Sequence, residues 1–218
     1  MAKLPWILGN AKLQKTSGGT FGRVIGWGIP ADHNFTLDGV QRNTCPGALG
    51  CRGACYAKQG SYTWKATVAA RKRALDCTLT DTFVADAIAD IKRMRGVGVV
   101  RIHDSGDYYS QEYLDKWIAI AQAFPDIIFY SYTKSATLDF NAAPSNFRVT
   151  FSLAGKHDAL VDMSKSHARI FATVEDMERA GYIDGGKSDA PAIQGLVKIG
   201  LPYHGTRKLT DAQRKFFS

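Results

Sequence analysis

The sequence predicts an α/β fold: a parallel-stranded partial (β/α) barrel, preceded by an irregular N-terminal segment that carries a cysteine loop. Three observations predict it. From residue 98 onward, short near-continuous apolar runs alternate with segments of helical period, the pattern of strands buried on both faces and joined by helical crossovers. Right-handed crossovers of that kind curl a sheet toward a barrel. Residues 1–44 instead carry Gly, Asn and Pro without such a period, and three of the four cysteines follow within eleven residues.

The elements follow in order. A strand candidate covers 23–27. A helix over 61–75 is rich in Ala, Lys and Arg, and a second opens at Thr80, a cap-type residue, with Phe83, Ala87, Ile88, Ile91 and Met94 on one stripe. Gly96 and Gly98 end it. "GVVRIHD" (98–104) is a strand, "SQEYLDKWIAIAQAF" (110–124) is a helix capped by Ser110, and Pro125 stops it. "IIFYSY" (127–132), "RVTFSLA" (148–154) and "ARIFATV" (168–174) supply three more strands. "LTDAQRKFF" closes the chain as a short helix with Thr210 as cap. With no repeat, low-complexity tract or linker, the 218 residues read as one domain. It comprises a wrap and cysteine loop (1–60), a βα core (61–180) and a C-terminal extension (181–218).

No apolar run approaches the ~20 residues that span a membrane, and the N-terminus lacks the pattern of a signal peptide. The expected location is the cytoplasm. Reduced thiols there are more often metal ligands or catalytic groups than disulfides. A net charge of +8 is compatible with a nucleic-acid partner, although the basic residues are scattered or sit in predicted helices.

Ligand sites in parallel α/β folds lie at the carboxyl ends of the strands. Those ends read His103-Asp104-Ser105-Gly106-Asp107, Tyr132-Thr133-Lys134-Ser135 and Ser152-Leu153-Ala154-Gly155. The period-2 alternation puts Arg101 and His103 on one strand face, and Tyr130, Tyr132 and Lys134 on the matching face of the next. Val100, Ile102, Ile127, Phe129, Val149 and Phe151 take the opposite faces, so the polar faces are expected to line a cavity. Arg101, His103, Asp104 and Lys134 are its candidate catalytic residues.

Cys45, Cys51 and Cys55 are spaced C-x5-C-x3-C among glycines. Three thiolates on such a loop suit three irons of a [4Fe–4S] cluster, with the fourth iron left for Cys77, another protein group or a small molecule. Zinc is the alternative, held by the same cysteines with Cys77, His33 or His103. His103, Asp104 and Asp107 could also serve a zinc-dependent hydrolase or nuclease as ligands or general base. A third reading is a non-catalytic or redox-sensing cluster protein that binds nucleic acid.

"NTCPGALGCRGACYAKQGSY" (43–62) with "VVRIHDSGDYYSQEYLDKWIAIAQAFPDIIFYSYTKS" (99–135) resembles the phage "gene product 88" family of uncharacterised proteins. That resemblance implies a setting in the bacterial host cell during infection. The three-cysteine loop followed by a strand ending in a small-Gly-acid turn is similar, more distantly, to radical S-adenosylmethionine enzymes. This second resemblance implies a partial barrel, a [4Fe–4S] cluster and S-adenosylmethionine as cofactor. It casts Ser105-Gly106-Asp107 as the turn that contacts the cofactor, and Ser152 as a cofactor-lining residue.

Overall fold

The computed structural model describes residues 3–9, 11–17, 19–203, 208–211, 214 and 217. Helix α1 (Ala11–Thr16) leads into strand β1 (Arg23–Gly26), followed by a hairpin of β2 (Asn34–Leu37) and β3 (Val40–Asn43). Helices α2 (Lys65–Thr78) and α3 (Phe83–Arg93) precede β4 (Val97–Ile102), α4 (Gln111–Gln122), β5 (Ile128–Thr133) and β6 (Phe147–Ser152). Then come β7 (His167–Phe171), α5 (Val174–Arg179), β8 (Ile183–Asp184), α6 (Ala190–Ile193) and β9 (Lys198–Pro202).

Seven strands form one curled sheet in the order β1-β4-β5-β6-β7-β9-β8, a half-barrel in which every pairing is parallel. The predicted fold class is the observed one. The divided strand faces explain the curl. Val100, Ile102 and Phe129 point outward to pack on Leu75, Phe83, Leu114 and Trp117 of the helical layer. Trp6 and Trp27 join them, with Trp27 stacked edge-on to Trp117 at 5.8 Å. Burying one such large apolar side chain contributes roughly 1.5–3 kcal/mol. On the concave side, Val24, Val99, Tyr130, Ala168 and Ile199 pack against Leu13 of α1 and Ala192 and Ile193 of α6. The segment expected to be a mere C-terminal extension therefore plugs the barrel.

Some boundaries differ from expectation. A 3-10 turn (Gly60–Thr63) precedes α2, which begins four residues late and runs on to Thr78, past Cys77. Thr82, not Thr80, occupies the cap position of α3, because the Thr80 hydroxyl donates to the Cys77 carbonyl and closes α2. Ser110 caps α4 as predicted, accepting from the Tyr113 amide at 3.2 Å. The β2–β3 hairpin, β8, β9, α1, α5 and α6 were not anticipated. Four of the nine residues of the predicted C-terminal helix, 212, 213, 215 and 216, lie outside the described residues. No helix among the described residues is long and apolar enough to cross a membrane.

Candidate functional site

The cysteine loop is built to stay in one place. The Thr44 hydroxyl donates to the Pro30 carbonyl at 2.6 Å, and the Cys45 amide donates to Asn43 Oδ1 at 2.8 Å. Two short antiparallel contacts pin the loop to the β6–β7 connection: Ala48 bridges Gly155, and the Gly50 amide donates to Ala154 O. Gly47 lies flush against the end of β5, where a Cβ would sit 2.1 Å from the Lys134 carbonyl oxygen. That neighbour is backbone and cannot yield. Gly47→Ala should lift the loop from the sheet and cost about 1–3 kcal/mol. A lowered denaturant midpoint with faster alkylation of Cys45 checks this; unchanged labelling counts against the contact.

Below the loop, the strand ends enclose a cavity of about 560 Å³. This is within the usual range for a small-molecule site. Cys45, Cys51 and Cys55 line one wall, and Arg101, Asp104, Asp107, Lys134 and Ser152 line others. Eleven of the twelve residues singled out in the sequence thus border one space. Cys77 is the exception. It sits on α2 packed against the outer core and does not line the cavity.

The roles of several residues also change. His103 falls just beyond β4 with a left-handed backbone, φ 65°, which breaks the alternation expected to aim it with Arg101. Its Nε2 meets the Tyr113 hydroxyl at 3.0 Å and its ring lies edge-on to Tyr108 at 4.7 Å, among the outer aromatics. Burial holds its pKa down to about 3. Asp104 pairs with Arg71 at 2.6 Å and accepts from Tyr62 at 3.1 Å, while its carbonyl accepts from the Tyr56 hydroxyl. The positive φ of Gly106, 80°, swings the chain so that Asp107 points back into the protein. Its carboxylate accepts from Thr133 Oγ1 at 2.6 Å and from the Lys134 and Tyr108 amides, both at 2.8 Å. The Asp107 amide donates to Thr44 O at 2.7 Å. Asp107 is therefore the tie between the cysteine loop and β5, with most of its acceptor capacity used. The Ser105 hydroxyl is likewise engaged by Ile29 O at 2.8 Å. His103, Asp104 and Asp107 face three different partners and do not converge as a hydrolytic centre.

Lys134 and Ser152, predicted from separate strand ends, do meet. Lys134 Nζ donates to Ser152 O and Oγ, both at 2.8 Å, and to Leu153 O. Burial pulls its pKa down while the nearby Cys51 and Asp107 charges push it up. Burial pushes the Cys45 thiol up to about 12 and the Cys55 thiol up as well, so in the metal-free chain both are neutral at pH 7. The Cys45 sulfur accepts from the Asp32 amide at 3.3 Å. Among the described residues, no three His, Cys, Asp or Glu side chains close on a single-ion site.

The sequence did not point to the base of the cavity. There Asp189, with no exposed surface, receives Lys12 at 2.8 Å and Arg101 at 3.0 Å. The Tyr130 hydroxyl donates to it at 2.8 Å and the Tyr132 hydroxyl reaches it at 3.4 Å. The basic residues Lys65, Lys72 and Arg73 lie exposed on α2, and Trp64 is 67% exposed beside them.

Fold and site together define a parallel α/β half-barrel with a three-cysteine loop over a cavity lined by both charged and apolar residues at the carboxyl ends of its strands. The model of the "Gene product 88" family matches residues 4–215, and the chain belongs to that family. The Gene 88 protein of Mycobacterium phage D29 is 29% identical over 168 residues, 65% of this chain and 67% of that protein. The Gene 88 protein of Mycobacterium phage L5 is similar to the same extent. No solved structure matches the chain.

Proposed function

We propose that the protein holds a [4Fe–4S] cluster on Cys45, Cys51 and Cys55 and uses its fourth iron to bind a small molecule in the cavity. The observation that carries this reading is the placement of all three cysteines on the wall of one cavity, with Cys77 elsewhere. The donor set fits the cluster. Three soft thiol ligands on an anchored loop can each take a separate iron, and the remaining iron would face the ligand space. A single zinc ion is the alternative, and it would need the same thiolates drawn to about 3.8 Å apart at Zn–S of about 2.3 Å.

When bound, a cluster of this kind supplies one-electron chemistry to the ligand on its open iron. S-adenosylmethionine is the ligand that the resemblance to radical enzymes suggests. The chain's own residues do the rest. Asp107 and Gly47 hold the loop at the strand ends, and Lys134 places a buried amine near Cys45 and Cys51. Because Cys45 and Cys55 are neutral in the metal-free chain, loading must release their protons, and it should become more favourable as pH rises.

The test is anaerobic reconstitution of the wild type and of four Cys→Ser variants, read by iron and sulfide analysis and by absorption spectra. About four irons and four sulfides are expected in wild type and in Cys77→Ser. Substitution at Cys45, Cys51 or Cys55 should abolish the load. A colourless wild type, a stoichiometric zinc, or loss of the load in Cys77→Ser would overturn the assignment.

A further inference from the structure

At the base of the cavity, two cations share one carboxylate. Asp189 is saturated by Lys12, Arg101, Tyr130 and Tyr132, yet it neutralises only one of the two positive charges. The surplus is local. Arg71 has its own partner in Asp104, and Lys134 spends its donors on Ser152 and the Leu153 carbonyl. Arg101 is about nine-tenths buried, and among the described residues its Nε–H has no acceptor. A buried guanidinium donor left unpaired is costly. Arg101, Lys12 and Tyr132 all border the cavity.

The geometry accounts for this placement. Arg101 is two residues beyond Val99, and Tyr132 two beyond Tyr130, on the concave face of adjacent strands. Arg101 is in register with Tyr130, which packs on the apolar plug, Tyr132 lies two residues further along β5, and Lys12 comes from α1 beside Leu13 of that plug. The same cavity carries Ile7, Ile170, Leu201 and Pro202 on its wall, an apolar flank beside a charged base.

We propose that Arg101 and Lys12 form an oxyanion subsite, and that the ligand of this cavity is a small molecule with a carboxylate or phosphate end and an apolar or aromatic body. The guanidinium of Arg101 and the ammonium of Lys12, which both border the cavity, attract the anion by their charge, while Asp189 keeps both side chains in position and the apolar wall takes the body. This rests on the cavity being a ligand site and is independent of the metal on the cysteine loop. It also assigns Tyr132 a place beside the anion, where its ring can pack on the ligand.

The experiment uses the full chain and three probes of one shape: phenyl phosphate, benzoate and the neutral benzyl alcohol, titrated by calorimetry. At least one anion should bind about tenfold tighter than the alcohol, the worth of one charged hydrogen bond. The tighter of the two anions names the class. The preference should vanish in Arg101→Gln and shrink in Lys12→Gln, with benzyl alcohol unaffected. Lys12 is a quarter exposed, so its variant keeps the test open if Arg101→Gln fails to fold. Equal binding of charged and neutral probes, no binding of either anion, or an anion preference that survives both substitutions would overturn the subsite. A chain that loads iron but shows no preference loses the subsite and keeps the cluster. The reverse result keeps the subsite and loses the cluster.

Discussion

Asp189→Ala is expected to destabilise the protein by about 3–5 kcal/mol, the range for breaking a buried ion pair from one side. The cause is what it leaves behind. Arg101 stays protonated and buried, Lys12 remains close by, and the Tyr130 hydroxyl loses its acceptor. Asp189 also ties α6 to α1 through its amide, which the Thr16 hydroxyl accepts at 3.2 Å, and that bond survives the substitution. The loss is therefore electrostatic, and a second change can recover part of it. Arg101→Met in the Asp189→Ala background removes the orphaned charge, so the double variant should be more stable than Asp189→Ala alone. Urea midpoints of the four proteins of this cycle give the answer. A double variant less stable than either single one would mean that Arg101 holds the sheet by packing, with charge irrelevant.

This network also marks the limit of what the sequence discloses. The strands β4, β5, β6 and β7 were legible because apolar runs between helical segments are a local signal. The division of their faces followed from period-2 alternation, and Val100, Ile102 and Phe129 do pack outward. The cavity residues at the strand ends were legible for the same reason. Asp189 and Lys12 were not, since the Arg101–Asp189 bond spans 88 residues and leaves no periodic trace. The plug helix α6 does carry a local signal, a Pro at its first turn in "SDAPAI". The β2–β3 hairpin carries another, Asp38-Gly39 between Leu37 and Val40, and both turn residues have positive φ. The failure at His103 is physical. Alternation assumes extended backbone, and one left-handed residue at the strand end sends the ring into the outer core. Asp107 has a structural role that its spacing did not announce: its carboxylate accepts from Thr133 and the Lys134 amide at β5 while its amide holds Thr44 O of the cysteine loop.

His103 should make the protein sensitive to mild acid. Its imidazole is fully enclosed, with Tyr113 on Nε2 and no partner on Nδ1 among the described residues. A charged ring needs two acceptors, and only one oxygen is at hand. Burial accordingly lowers its pKa to about 3, against about 6.5 unfolded. Between those values the unfolded chain binds the extra proton, so stability falls as pH drops. The slope approaches 1.4 kcal/mol per pH unit, or about 2.5 kcal/mol between pH 6 and pH 4. Burial pushes Asp104 and Asp107 up, the opposite sense, so the wild-type curve alone is ambiguous. His103→Asn separates them. Asparagine tolerates the left-handed backbone and does not titrate, while both aspartates remain. Urea unfolding at pH 6, 5 and 4 should show the wild type losing about 2.5 kcal/mol more than the variant. Equal losses would mean that the ring already carries a proton in the native state. An acceptor would then have to reach Nδ1, and the aromatic cage around His103 would have to open.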